Sequence, residues 1–176
     1  MARKRKYKWD FLNDFKPDKD GKYEYTGSIY VYSKDEFQRK RDYARQWALL
    51  GIAICSSVGS GFIDAGGIVN TYYVIIPFLG EIICLFTLAH YHFKLLISSE
   101  VREYNYSRSQ PRIPIAISIF AFFSVVGFAA SLIFCIITGF EGGAVKNIIY
   151  LVLKAFNLII ALIYRKSFYR LEWVII

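Results

Sequence analysis

The sequence predicts an all-α integral membrane protein: a four-transmembrane-helix bundle with both termini cytoplasmic and a short N-terminal cytoplasmic segment that includes a β-hairpin. Three observations predict it. Of 176 residues, 55% are hydrophobic and 18% aromatic, and the apolar residues come in unbroken blocks instead of at the period of a half-buried strand or helix. Four blocks, about 46–63, 71–95, 113–138 and 146–164, are long enough to cross a hydrocarbon core, which takes roughly 17 to 25 residues at 1.5 Å each. Finally, Lys and Arg are distributed on one side of those blocks. With 12 Gly, four Pro and three Cys, the fibrous, disordered and disulfide-scaffold classes are excluded.

The first element is the polar segment 1–33, set apart from a membrane domain at 34–176. Arg3, Lys4, Arg5, Lys6 and Lys8 interleave with Tyr7 and Trp9, a pattern that suits an anionic bilayer surface at about 1 kcal/mol per basic residue. The basic start runs into polar residues and not into an apolar core, so no secretory signal is expected and the first span is read as a retained anchor. KYEYTGSIYVY alternates around Thr26-Gly27-Ser28 as a short hairpin does, with Tyr23 and Tyr25 on one face and Ile29 and Val31 on one face of the second strand. A lone hairpin is marginal in water, so this one needs a surface to pack on.

Ser33 followed by Glu36 fits a capping box, predicting a helix from Lys34 through Trp47 into the first span. Its early turns carry Arg39, Lys40, Arg41 and Arg45 at phosphate level. The first span is rich in small residues, with Ser57 and Gly61 four apart; the third has Gly127, Ser131 and Cys135 at the same spacing. Such stripes let helix backbones approach closely. The middle loop, SSEVREYNYSRSQPR, reads as a helical extension of span two and a restart marked by Pro111 and Pro114. Every span is expected to be helical, because backbone groups in lipid have no water partner and the two-residue alternation of barrel strands is missing.

Orientation follows from charge. Thirteen Lys and Arg precede residue 46, four lie between Lys94 and Arg112, and three follow Tyr164, whereas the opposite side has only Lys146. The positive-inside rule then puts both termini and the middle loop in the cytoplasm, with a cell membrane as the expected location. The net charge of +8 is explained by this topology; no groove-reading motif or basic folded face points to nucleic acid.

Ionisable groups within spans cost about 2.5 to 3.5 kcal/mol on insertion scales, so each needs a partner. Glu81 lies about nine residues below the outer end of span two and Lys154 about eight below that of span four, a depth of roughly 12 to 14 Å for both. An ion pair is therefore predicted, since pairing avoids an uncompensated buried charge. Asn147, Tyr150 and Asn157 share a stripe with Lys154. His92 returns to nearly the face of Glu81 and is the candidate for a relay, against the plainer reading of an interfacial histidine at the headgroups.

No Cys-x-x-Cys, HExxH, Gly-x-Ser-x-Gly or Walker loop occurs, so no enzyme, metal or cofactor is expected. The remaining expectation is an accessory, regulatory or scaffold subunit whose partners are the bilayer and another membrane or cytoplasmic protein. The alternative is a small-solute or cation transporter, as a homo-oligomer, using Glu81, Lys154 and Asn157.

Overall fold

The computed structural model describes residues 14–17, 22–65, 67–68 and 70–176. Strands β1 (Phe15–Pro17), β2 (Tyr23–Tyr25) and β3 (Ile29–Tyr32) precede α1 (Glu36–Gly61) and α2 (Tyr72–Leu96). Strand β4 (Glu100–Arg102) and the short α3 (Glu103–Ser109) lead into α4 (Arg112–Thr138), α5 (Ala144–Phe168) and β5 (Trp173–Ile175). The chain is mostly helical, with small sheets at one end.

Three helical stretches are long and apolar enough to cross a membrane: Tyr72–Leu96, Glu103–Thr138 and Ala144–Phe168. The first predicted span does not qualify with them. Helix α1 is equally long, but its opening turns are charged and its closing turns carry Ser56, Ser57, Gly59, Ser60 and Gly61, so its apolar stretch is short. Bulky apolar side chains face outward along the other long helices, among them Ile83 and Phe86 on α2, Ile136 and Ile137 on α4, and Val152 and Leu162 on α5. A water-soluble surface rarely carries so continuous an apolar coat.

Inside the bundle, α2 packs on α4, α4 on α5, and α1 on both α5 and α2. One core cluster joins Leu50, Leu85, Leu88, Ile117, Phe120 and Tyr164 across the four long helices. Tight reversal between α4 and α5 uses the left-handed region at Gly139, Phe140, Gly142 and Gly143 (φ 64°, 63°, 84° and 110°). Glycine adopts it without the Cβ penalty; Phe140 is the exception.

Several local expectations are corrected. Strands form on both sides of Thr26-Gly27-Ser28 but do not pair with each other. Strand β2 pairs with β1, Tyr25 opposite Phe15, while β3 is the centre of a three-stranded sheet ordered β4-β3-β5. Tyr30 stands opposite Val101 on one side and Ile175 on the other. With two neighbours, β3 satisfies both backbone edges, and the aromatic rings beneath supply the packing surface an isolated hairpin lacks.

The capping box is also absent. Helix α1 begins at Glu36, and the Asp35 carboxylate accepts from the Gln38 amide at 2.8 Å. Ser33 is drawn into the sheet end, its amide donating to the Glu172 carbonyl at 3.0 Å. A carboxylate at the N-cap gains in addition from the helix dipole. In the middle loop α2 stops at Leu96, and β4 and α3 replace the predicted helical extension, although α4 does restart after Pro111.

Candidate functional site

The candidate site is a polar core assembled from three helices. Lys154 of α5 donates from Nζ to Glu81 Oε2 of α2 at 2.7 Å, and both side chains are fully buried. The same carboxylate oxygen faces the Ser57 hydroxyl of α1 at 3.4 Å and the Asn157 amide of α5 at 3.5 Å. Asn157 Nδ2 donates to Ser57 Oγ at 2.9 Å, closing a four-residue network. The ammonium also sits 5.1 Å from the centre of the Phe78 ring and 5.2 Å from that of Tyr150, close enough for cation–π attraction.

Local sequence explains why these groups meet. Lys154 and Asn157 are three residues apart, so they share one face of α5. Glu81 is nine residues into α2, about 14 Å, and Lys154 ten into α5, about 15 Å. Ser57, in contrast, is four residues from the end of α1, about 6 Å. Helix α1 therefore stops below the ends of its neighbours, and a turn with buried Ala65 and Ile68 covers it. Gly127 of α4 leaves room above the pair: a β-carbon there would come 3.8 Å from Glu81 Oε1 and 3.5 Å from Pro77.

Two buried acceptors, Glu81 Oε1 and Asn157 Oδ1, have no hydrogen-bond partner among the described residues. The arrangement neutralises its own charge and leaves these two oxygens as acceptors beside a buried ammonium.

The remaining predicted residues divide into separate sets. Tyr150 belongs to the polar core through its ring. Asn147 does not: its amide clips the α4–α5 turn, donating to the Glu141 and Gly143 carbonyls at 2.9 and 3.1 Å. His92 faces the bundle interior and does not meet Glu81. It is fully buried, with Nδ1 3.1 Å from the Leu88 carbonyl and Nε2 2.8 Å from the Tyr164 hydroxyl. That network assigns the proton to Nδ1 and makes Nε2 the acceptor from Tyr164. Leu85 and Leu88, both buried, are among the apolar residues of α2 that separate His92 from Glu81.

Of the basic residues, Arg39 and Lys40 lie 4.0 and 2.8 Å from Glu36, and Lys40, Arg41 and Arg45 are exposed; Arg3, Lys4, Arg5, Lys6 and Lys8 lie outside the described residues. Sequence reasoning missed Ser57 as a partner of Glu81, and the buried Gln46–Ser167 hydrogen bond at 2.8 Å. Ser57 could have been found only by knowing how deep α1 ends.

The sheet end forms a second candidate surface. Tyr30 stacks on Tyr106 at 3.8 Å between ring centres, and Trp173 meets the edges of Tyr32 and Tyr106 at 6.0 and 5.7 Å. Tyr32 donates to Asp42 Oδ2 at 2.6 Å, fastening the sheet to α1. Burial first, then the hydrogen bond to Asp42 and its charge, hold the Tyr32 phenol above the ordinary tyrosine range.

Comparison with protein-family models, with curated proteins and with solved structures finds no match for this chain. The class of protein therefore rests on the molecule itself: three helices long and apolar enough to span a bilayer, as in an integral membrane protein.

Proposed function

We propose that all four long helices cross a cell membrane, with both termini and the sheet end in the cytoplasm, and that the protein is an accessory or scaffold subunit acting through that end. One observation carries the reading. Three segments that the topology leaves on one side, before α1, between α2 and α4, and after α5, are joined in a single sheet by β3. Loops that only connected helices would need no shared sheet. A rigid aromatic platform, by contrast, is a surface a partner can recognise. Helix α1 crosses with the help of its neighbours, its serines turned to α2 and α5.

The test is recovery of a partner from native membranes under mild detergent. Removing residues 1–33 takes out β3, the centre of the platform, whereas removing residues 1–27 leaves it in place. We expect the partner to be lost from the 34–176 chain and kept by the 28–176 chain, with the bundle folded in both. Undiminished recovery with the 34–176 chain would count against the reading.

A second reading, transport of a cation or small solute, is favoured by the unpartnered acceptors Glu81 Oε1 and Asn157 Oδ1. It requires that Glu81→Gln abolish flux in proteoliposomes without unfolding the protein.

A further inference from the structure

Between α4 and α5, at the end of the bundle next to the sheets, the outer surface is indented by a groove of about 310 Å³. Its α4 wall follows from spacing. Ile115, Ser118, Ile119 and Phe122 recur at steps of three and four, so they share one face of the helix. Ile115, Ile119 and Phe122 are exposed, whereas the Ser118 hydroxyl donates back to the Pro114 carbonyl at 2.8 Å. One short side chain among three bulky ones leaves a hollow. On the other side the groove is bounded by Arg165 and by Tyr169 at the C-cap of α5, with the guanidinium 5.9 Å from the centre of the Tyr169 ring. None of the ion pairs among the described residues uses Arg165. Arg165 is three residues from the end of α5 and Ile115 three from the start of α4, about 4.5 Å in each case, while Phe122 is ten residues in, about 15 Å. The groove is thus charged at its mouth and apolar along its length. No charged residue lines the groove between α1 and α5.

We propose that the α4–α5 groove binds one anionic glycerophospholipid, with its phosphate on Arg165 and an acyl chain along Ile119 and Phe122. The proposal rests on the reading that α4 and α5 cross a membrane. A phospholipid in a bilayer has the same profile along the helix axis as the groove: an anion at the level of the helix ends and hydrocarbon below it. Guanidinium offers phosphate two parallel N–H bonds from a planar, weakly hydrated cation, and a tyrosine at the headgroup level keeps its ring in the apolar layer and its hydroxyl outside. Charge complementarity then selects the headgroup. Arg165 and Lys166 occupy the last turn of α5 and Arg170 follows, while Glu172, the next acidic residue, faces Ser33 at 3.5 Å at the sheet end. A choline or ethanolamine ammonium would meet like charge there. A glycerol headgroup adds no positive charge, so the negative charge of the phosphate is left for the protein to neutralise.

The full chain, purified in mild detergent, is loaded with phosphatidylglycerol or with phosphatidylcholine of the same acyl chains, and retained lipid is counted by native mass spectrometry. We expect one phosphatidylglycerol per chain, retained at least fivefold over phosphatidylcholine. Arg165→Gln should lower that retention at least fivefold. Ser118→Phe, which fills the hollow and keeps the charge, should do the same, with thermal unfolding of the lipid-free protein unchanged in both. Lys166→Gln, an equal loss of charge outside the groove, should retain lipid as wild type does. Equal retention of the two lipids, undiminished retention in either groove variant, a loss in Lys166→Gln as large as in Arg165→Gln, or displacement of the lipid by free glycerol 3-phosphate would each overturn the proposal. Release of the protein from its membranes by alkaline carbonate would overturn the membrane reading and the lipid site with it, whereas a chain that resists carbonate and shows no lipid preference loses the lipid site alone.

Discussion

Glu81 Oε2 accepts the Lys154 ammonium and draws Ser57 and Asn157 toward it, while Oε1 of the same carboxylate has no partner among the described residues. A buried pair of this kind adds little net stability over an apolar pair, but removing one partner strands the other charge, at about 3 to 5 kcal/mol. Glu81→Gln and Lys154→Met should each destabilise the protein by that order. The double substitution should cost less than the sum, a coupling of about 0.5 to 3 kcal/mol in thermal unfolding in nanodiscs; additive losses would mean the two charges do not depend on each other. At this scale the pairing of Glu81 with Lys154 was legible because both helices descend from the same side and depth is arithmetic. The place of Ser57 was not, because depth along α1 depends on where α1 stops. The surroundings of His92 were not legible either: its residue number puts it near the end of α2, and only the packing shows that Tyr164 and Trp47 enclose it.

Tyr32 gives a pH signature. Its folded-state proton is held more tightly than in the unfolded chain, where the phenol titrates near about 10. Its contribution is therefore complete below that pH and is lost as pH rises through the higher folded value. A near-ultraviolet circular dichroism titration should show the sheet end loosening above pH of about 10. Tyr32→Phe should flatten that dependence while removing the bond to Asp42, at roughly 1 kcal/mol.

At the scale of elements, long helices were readable and short strands were not. Twenty or more apolar residues leave one option in lipid, which is why three helices lie close to their predicted windows. A three-residue strand has no such constraint, and its partner is chosen by whatever edge the fold brings near. The 23–25 and 29–32 segments illustrate this: their local alternation marks both as strands, but β1, β4 and β5 outcompete the hairpin. Helix starts behave likewise. Ser33 and Asp35 are both acceptable caps by type, and the decision fell to Asp35 once Glu172 engaged Ser33. Asp35→Ala should cost about 0.5 to 2 kcal/mol and speed amide exchange at Gln38, whereas Ser33→Ala should leave that amide unchanged. The opposite ranking would restore the Ser33–Glu36 box.

For the molecule as a whole, the proposed topology makes a definite prediction. Reporter fusions after residue 176 and within the middle loop should be active only in the cytoplasmic assay, and a fusion at Gly142 only in the external one. An external C-terminus would overturn the proposed orientation. Neither apolarity nor length alone decides whether α1 crosses: its hydroxyls and glycines count against insertion as a single helix, yet Ser57 meets Glu81 and Asn157 once α1 is docked, and Ser60 donates to the Ser57 carbonyl within α1 itself.

Sequence alone determined that apolar helices must form, roughly where they begin and end, and that Glu81 and Lys154 would be level, because the low-dielectric interior of a bilayer penalises every unpaired backbone group and charge in a position-dependent way. Tertiary structure decided which oxygen each donor found, where α1 stopped, and how three separate segments met on β3. Those choices depend on contacts between residues far apart in the chain, and no local pattern of side chains encodes them.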